Sequence, residues 1–282
     1  MINPQNTRQI IGFTLVTACL LLVISLLVFI ISFLIYKGGN TLSWEFLSSN
    51  PKHGMTEGGI FPAIFGTMLV TILSSLLATP LGIACAVYLH EYTKDTASMR
   101  FIRASIRNLA GIPSIVFGLF GLAIFVQGLG LGASVLASGL TLGILTLPII
   151  ITTTEESLRN VPISLKEGAA ALGATKFETI MKVVLPECKT GIFTGVILSL
   201  SRAAGETAPI LLTGVAFYKR YLPQAPSEEF MALPYHLYIL TTQHHAIEQV
   251  RPLAFATALV LLALVFIMNL SVFLIRARYQ KK

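Results

Sequence analysis

Arg202 and Glu206 stand four residues apart in an otherwise apolar stretch, Leu198-Ser199-Leu200-Ser201-Arg202-Ala203-Ala204-Gly205-Glu206-Thr207-Ala208-Pro209. In hydrocarbon a lone arginine costs roughly 3 kcal/mol or more, and a lone glutamate is comparably unwelcome. The i, i+4 spacing predicts a single helix face on which each charge offsets the other. An ion pair buried for stability alone gains little over apolar residues. A guanidinium beside water, with five donors in a planar fork, suits a tetrahedral oxyanion. The expectation is a hydrated anion path. In it Arg202 exchanges carboxylate for substrate, and Glu206 keeps the empty path from holding anions too tightly. The alternative is a buried pair that only fixes helix arrangement.

Other chemistry is sparse. His53, His236, His244 and His245 lack metal-ligand spacing and read as solvated or interfacial, so no metal site is expected. Cys19 and Cys85 fall inside apolar runs and Cys188 in a charged segment, which leaves no external pair for a disulfide. His90-Glu91 stands isolated at the end of an apolar run, and an intramembrane enzyme would need a richer constellation. No Gly-x-x-x-x-Gly-Lys-Ser/Thr motif is present to cradle nucleotide phosphates.

The elements that position Arg202 are membrane helices. Of 282 residues, 54% are hydrophobic and only 12% charged, with a mean hydropathy of +0.78, which marks an integral membrane protein. Apolar runs at about 11–35, 62–89, 109–127, 133–154, 191–216 and 253–275 each approach the ~20 residues a helix needs to cross a ~30 Å core. Six spans and an all-α polytopic fold are expected. The first run is too long for a signal-peptide core and lacks a small-residue cleavage site, so it reads as an uncleaved helix. Gln127-Gly128-Leu129-Gly130-Leu131-Gly132 reads as a tight turn between the third and fourth spans, with one kinked or re-entrant segment as the alternative. If the fifth span begins at Gly191, Arg202 lies about 16 Å in, near the middle of the bilayer.

Lys and Arg counts orient the chain. Segments 1–10, 90–108, 155–190 and 276–282 hold fourteen of them, against five at Lys37, Lys52, Lys219, Arg220 and Arg251 on the other side. Both termini are therefore expected in the cytosol of a cytoplasmic (inner) membrane, bacterial or archaeal. The net charge of +7 is then a topology signal, with nothing further to support nucleic-acid binding. Pro80 and Pro148 are expected to kink their helices. Ala78, Gly82 and Ala86, and likewise Gly191, Gly195, Ser199 and Ala203, form small-residue faces for close helix packing. Outer segments 36–61 and 217–252, with Trp44 and several tyrosines, suit the headgroup level of the lipid.

Between the fourth and fifth spans lies the polar segment 155–190, with apolar residues at helical intervals broken by Pro162 and Gly173. Gly173 to Ile180 reads as a short helix at the tip of this segment, able to transmit a push. Glu167, Ala169, Gly173, Leu185 and Pro186 match the loop pattern Glu-Ala-Ala-x-x-x-Gly, nine residues, Ile-x-Leu-Pro. That loop resembles the one found in permeases of binding-protein-dependent ABC importers. The departures are Gly168 for the first alanine after the glutamate and Val183 for the isoleucine. Gly168 is expected to loosen its helix by up to roughly 1 kcal/mol.

The stretch Ser201 to Pro209, with Leu109-Ala110-Gly111-Ile112-Pro113-Ser114-Ile115-Val116-Phe117-Gly118-Leu119-Phe120-Gly121, resembles the phosphate-importer branch, and more closely its PstA type than its PstC type. The resemblance runs from about residue 60. It implies an ABC importer type I (MetI-like) permease fold, with 1–60 as an N-terminal helix and outer loop and 61–282 as the importer domain. It implies an ATPase-coupling set of Glu167, Gly168, Ala169, Gly173, Ala174, Thr175, Lys176, Phe177 and Glu178. It further implies a PstC-type partner permease, a dimeric cytosolic ATPase that binds ATP and magnesium, and an external phosphate-binding protein, with no cofactor held by this chain. Sulfate or molybdate is the alternative cargo. A secondary transporter or channel would not explain the long polar segment, and a purely structural subunit would not explain Arg202.

Overall fold

A computed structural model describes residues 4–219 and 221–280; Arg220, Lys281 and Lys282 of the charge tally lie outside the described residues. Helix α1 (Pro4–Gly38) leads to an outer segment containing α2 (Trp44–Ser48) and the two-residue strands β1 (Pro51–Lys52) and β2 (Glu57–Gly58). Then come α3 (Phe61–Val87), α4 (Ala97–Leu109), α5 (Ser114–Gly121) and α6 (Val135–Arg159). The polar segment forms α7 (Ile163–Ala171), α8 (Lys176–Thr179) and α9 (Leu185–Glu187). After it follow α10 (Lys189–Gly205), α11 (Ala208–Thr213), α12 (Leu233–Thr242) and α13 (Ile247–Gln280). The result is all-α in its membrane part.

Among the described residues four helices are long and apolar enough to cross a membrane, and up to six spans result if two bent pairs each count as one. One bent pair departs from the expected third span; the other is Lys176–Glu187 with α10, at 66°, and the expected fifth span is itself broken farther on. In the third, α4 and the stretch Ser114–Gly128 meet at 100°, so Leu109 belongs to a separate amphipathic helix. In the fifth, α10 ends at Gly205 and α11 starts at Ala208. The cause is the same in both places. A proline ring clashes with the carbonyl four residues earlier and offers no N–H. Four residues before Pro113 is Leu109, and four before Pro209 is Gly205, the last residues of α4 and α10. By contrast α3 and α6 run through Pro80 and Pro148 without a break. Thr152 Oγ1 donates to the Pro148 carbonyl at 2.8 Å. Gly130 and Gly132, both at φ 66°, make the expected tight turn before α6.

Helix α6 is the axis of the fold, packed on one side by α3 and on another by α10. The small-residue faces are what permit this. A Cβ on Gly82 would lie 2.7 Å from Ile150 Cγ2, and one on Gly195 would overlap the Thr153 hydroxyl. Ala78, Ala86, Ser199 and Ala203 are buried with them.

The two outer segments fold together into a cap. Phe46, Met55 and Ile60 pack with Leu233, Ile239 and Val250, Tyr218 Oη donates to the Pro51 carbonyl at 3.0 Å, and His244 Nε2 lies 2.8 Å from the Gly54 carbonyl. His236 and His244 are thus buried, where solvated or interfacial side chains were expected. Burial, with His244 nearby, pushes the His236 imidazole down to about 4. Apolar cap residues exclude water that the loop's polarity had suggested.

Candidate functional site

The structure brings Arg202 and Glu206 together, Nε to Oε1 at 3.4 Å, although not on one helix face. Arg202 lies in the last turn of α10, where the partial negative charge of the unpaired carbonyls favours a cation. Glu206 is the residue that leaves the helix, with φ −75° and ψ 127°. Its carboxylate reaches back to Arg202 from extended backbone. The side chains are 28% and 17% exposed, so both charges sit at a partly open edge of the bundle. The 3.4 Å contact is the guanidinium's one protein hydrogen bond among the described residues, and it occupies a single donor of five.

Neighbouring contacts hold this edge. Ser201 Oγ lies 2.9 Å from Asn269 Oδ1, and Arg276 Nη1 donates to Thr194 Oγ1 at 3.1 Å. Two polar ties seven residues apart therefore fasten α10 to α13. Ser138 and Thr213 hydroxyls, 3.0 Å apart, fasten α11 to α6. Asn269 escaped the reading of the sequence, although an amide inside the run Leu264 to Ile275 is itself a signal. Arg276 entered only as a topology charge.

The tip of the polar segment is built from two of its short helices, α7 and α8, joined by a turn. Helix α7 carries Lys166, Glu167, Gly168 and Ala169, and it ends at Leu172 and Gly173, whose φ of 82° suits a glycine after a helix. Helix α8 starts at Lys176, not Gly173, because Gly173 is left-handed and Thr175 is the cap. Gly173 and Ala174 are thus turn residues. Thr175 Oγ1 accepts from the Glu178 amide at 3.3 Å, and the Thr175 amide donates to Glu178 Oε2 at 3.0 Å, a reciprocal capping box. The bond from the Thr175 amide, a second from its hydroxyl to the same oxygen at 2.9 Å, and Lys182 at 3.3 Å hold the Glu178 carboxyl down at about 2. Leu172, at 91% exposed, and Phe177, at 64%, stand out from this tip.

His90-Glu91 is not isolated. The chain continues from α3 through a π-helical turn, Tyr88–Tyr92, and Glu91 there pairs with Lys166 of α7, Nζ to Oε1 at 2.5 Å. Lys176 Nζ donates to the Glu91 carbonyl and sits 4.7 Å from the centre of the Tyr92 ring. Beneath them Arg103 of α4 pairs with buried Glu155 of α6 at 2.8 Å and donates to the Leu89 carbonyl at 2.6 Å. These pairs link residues up to 85 positions apart and leave no local pattern. Among the described residues no group of three or more His, Cys, Asp and Glu is placed to hold a metal.

Comparison with known proteins places this geometry in a family. Residues 78–281 match the model of the binding-protein-dependent transport system inner membrane component. The probable ABC transporter permease protein YqgI of Bacillus subtilis is 34% identical over 69% of this chain, and the match takes in just under two thirds of YqgI, 66%. The phosphate transport system permease protein PstA of Xylella fastidiosa is 34% identical over 84% of this chain and 82% of its own length. In structure, a subunit of the inward-facing MetNI methionine ABC transporter superposes with a TM-score of 0.63 over 77% of this chain and 94% of its own, at 18% identity. That likeness speaks for the fold, which is the expected MetI-like permease architecture. The chain belongs to the family of binding-protein-dependent transport system inner membrane components.

Proposed function

We propose that this chain is one of two permease subunits of an ATP-driven importer that carries inorganic phosphate across the cytoplasmic membrane. The observation that carries the reading is the setting of Arg202, a guanidinium at the end of a broken membrane helix, held by one long contact and open on its remaining side. The phosphate permease named among its relatives supports the cargo. Arg202 offers the phosphate two parallel hydrogen bonds, and Glu206 is the ligand it gives up to do so. The path lies between this chain and a PstC-type permease that faces the same edge. An external phosphate-binding protein loads it from the cap side.

Energy enters at the other end. A dimeric cytosolic ATPase holds ATP and magnesium and grips the tip built from Glu167, Gly168, Ala169, Gly173, Ala174, Thr175, Lys176, Phe177 and Glu178. Exposed Leu172 and Phe177 give that grip an apolar contact. The test is ATP-dependent phosphate uptake by the reconstituted complex, with sulfate, molybdate and arsenate as competitors. Two charge-assisted bonds at ~1.5–3 kcal/mol each make Arg202→Leu about a hundredfold or more slower in an assembled complex. Uptake unchanged by that substitution, or blocked by sulfate as well as by phosphate, overturns the reading.

A further inference from the structure

The coupling set is built on the tip of the polar segment, yet a push at the tip moves the membrane helices only if something joins the two. Two short helices converge on one residue that does not belong to the tip. Glu91 receives Lys166 of α7 at its carboxylate and Lys176 of α8 at its backbone carbonyl. Its side chain is only 10% exposed and that of Lys166 only 25%, so water screens the pair less than at a surface. The carbonyl is free because a helix end leaves its last carbonyls unpaired. Two cations, Lys176 and Arg103, close this end of α3 in the manner its dipole favours.

At its other end, α3 meets the outer cap. A Cβ on Gly66 would strike the Met231 carbonyl, and Thr67 Oγ1 accepts from the Leu233 amide at 2.8 Å. Phe61 to Tyr92 is 32 residues of helix, roughly 48 Å of continuous rod. This helix, with its π-helical last turn, therefore joins the tip to the cap without a break.

We propose that Glu91 is the positioning residue that transmits movement of the coupling tip into α3, and through α3 to the outer cap at Met231–Leu233. The inference rests on the transport reading above. In this role Glu91 acts through α3 and not on phosphate or nucleotide. It decides how much of the ATPase stroke reaches the membrane helices.

The experiment uses the whole complex, with both permeases, ATPase and binding protein, in proteoliposomes, and reads phosphate taken up per ATP hydrolysed. In Glu91→Gln that ratio falls fivefold or more. The double reversal Glu91→Lys with Lys166→Glu recovers at least half of the wild-type ratio, since the Lys176 bond is to the main chain and survives. Each single reversal stays low. A ratio equal to wild type in Glu91→Gln, or a double reversal no better than the singles, overturns the role of Glu91. A wild-type complex with no ATP-dependent uptake of phosphate, sulfate or molybdate overturns instead the transport reading on which it rests.

Discussion

Glu206→Gln separates a path residue from a structural prop. The substitution keeps the shape and removes the charge that, in the proposed path, competes with phosphate for Arg202. At 3.4 Å and an effective dielectric constant of ~20, the bare attraction is about 5 kcal/mol. Both side chains are partly exposed, 28% and 17%, and both were taken from water to make the contact, so a net worth of about 1–2 kcal/mol remains. Without it, phosphate bound at Arg202 is held tighter by the same amount, a factor of about 5–30. Release then limits turnover. Radiolabelled phosphate uptake at saturating binding protein is expected to fall by about that factor, while phosphate retained on the detergent-solubilised complex rises. A Glu206→Gln complex that assembles and turns over at the wild-type rate or faster refutes the exchange of carboxylate for substrate. A complex that fails to assemble shows the pair to be a helix prop.

Three further outcomes follow from the packing. Gly168→Ala meets nothing within 4 Å of the added carbon, so it should stabilise α7 by about 0.5–1 kcal/mol, seen as slower proteolysis of the segment with uptake retained. Gly195→Leu drives a side chain into Thr153 and Ile150 of α6, costs about 3 kcal/mol or more, and should abolish the monodisperse peak in size-exclusion chromatography. Glu178, whose folded carboxyl is depressed from 4.5 to about 2, strengthens the α8 cap fully above pH 4.5 and loses that contribution as pH falls toward 2. Amide exchange at Lys176–Thr179, corrected for its intrinsic rate, should be flat from pH 7 to 5 and rise below, with Glu178→Gln removing the dependence.

The membrane helices were legible because twenty apolar residues have few other fates. The breaks were not, although their signal is present. Gly111 precedes Pro113 by two residues and Gly205 precedes Pro209 by four, whereas no glycine lies in the four residues before Pro80 or Pro148. A glycine lets the backbone leave the helix that the proline obstructs. Arg202 and Glu206 were found as a pair by spacing. The pairing survives because an extended residue just past a helix end reaches the same turn that i+4 would. The Glu91 contacts were illegible for a different reason. They depend on where α6 and the short helices return, 75 and 85 residues later, and no periodicity records a tertiary approach.

The gap between α10 and α11 has a consequence for the life of the protein in a cell. The Glu206 amide turns back to the Ala203 carbonyl and the Thr207 carbonyl takes the Leu211 amide, but each peptide group left unpaired at that gap costs several kcal/mol when hydrocarbon covers it. A chain inserted without a companion therefore presents the bilayer with a seam it cannot seal. We expect such an orphan to be degraded by membrane proteases. In the proposed two-permease importer, the expected result is a stoichiometry set by degradation of whichever half is in excess, with no need for equal synthesis.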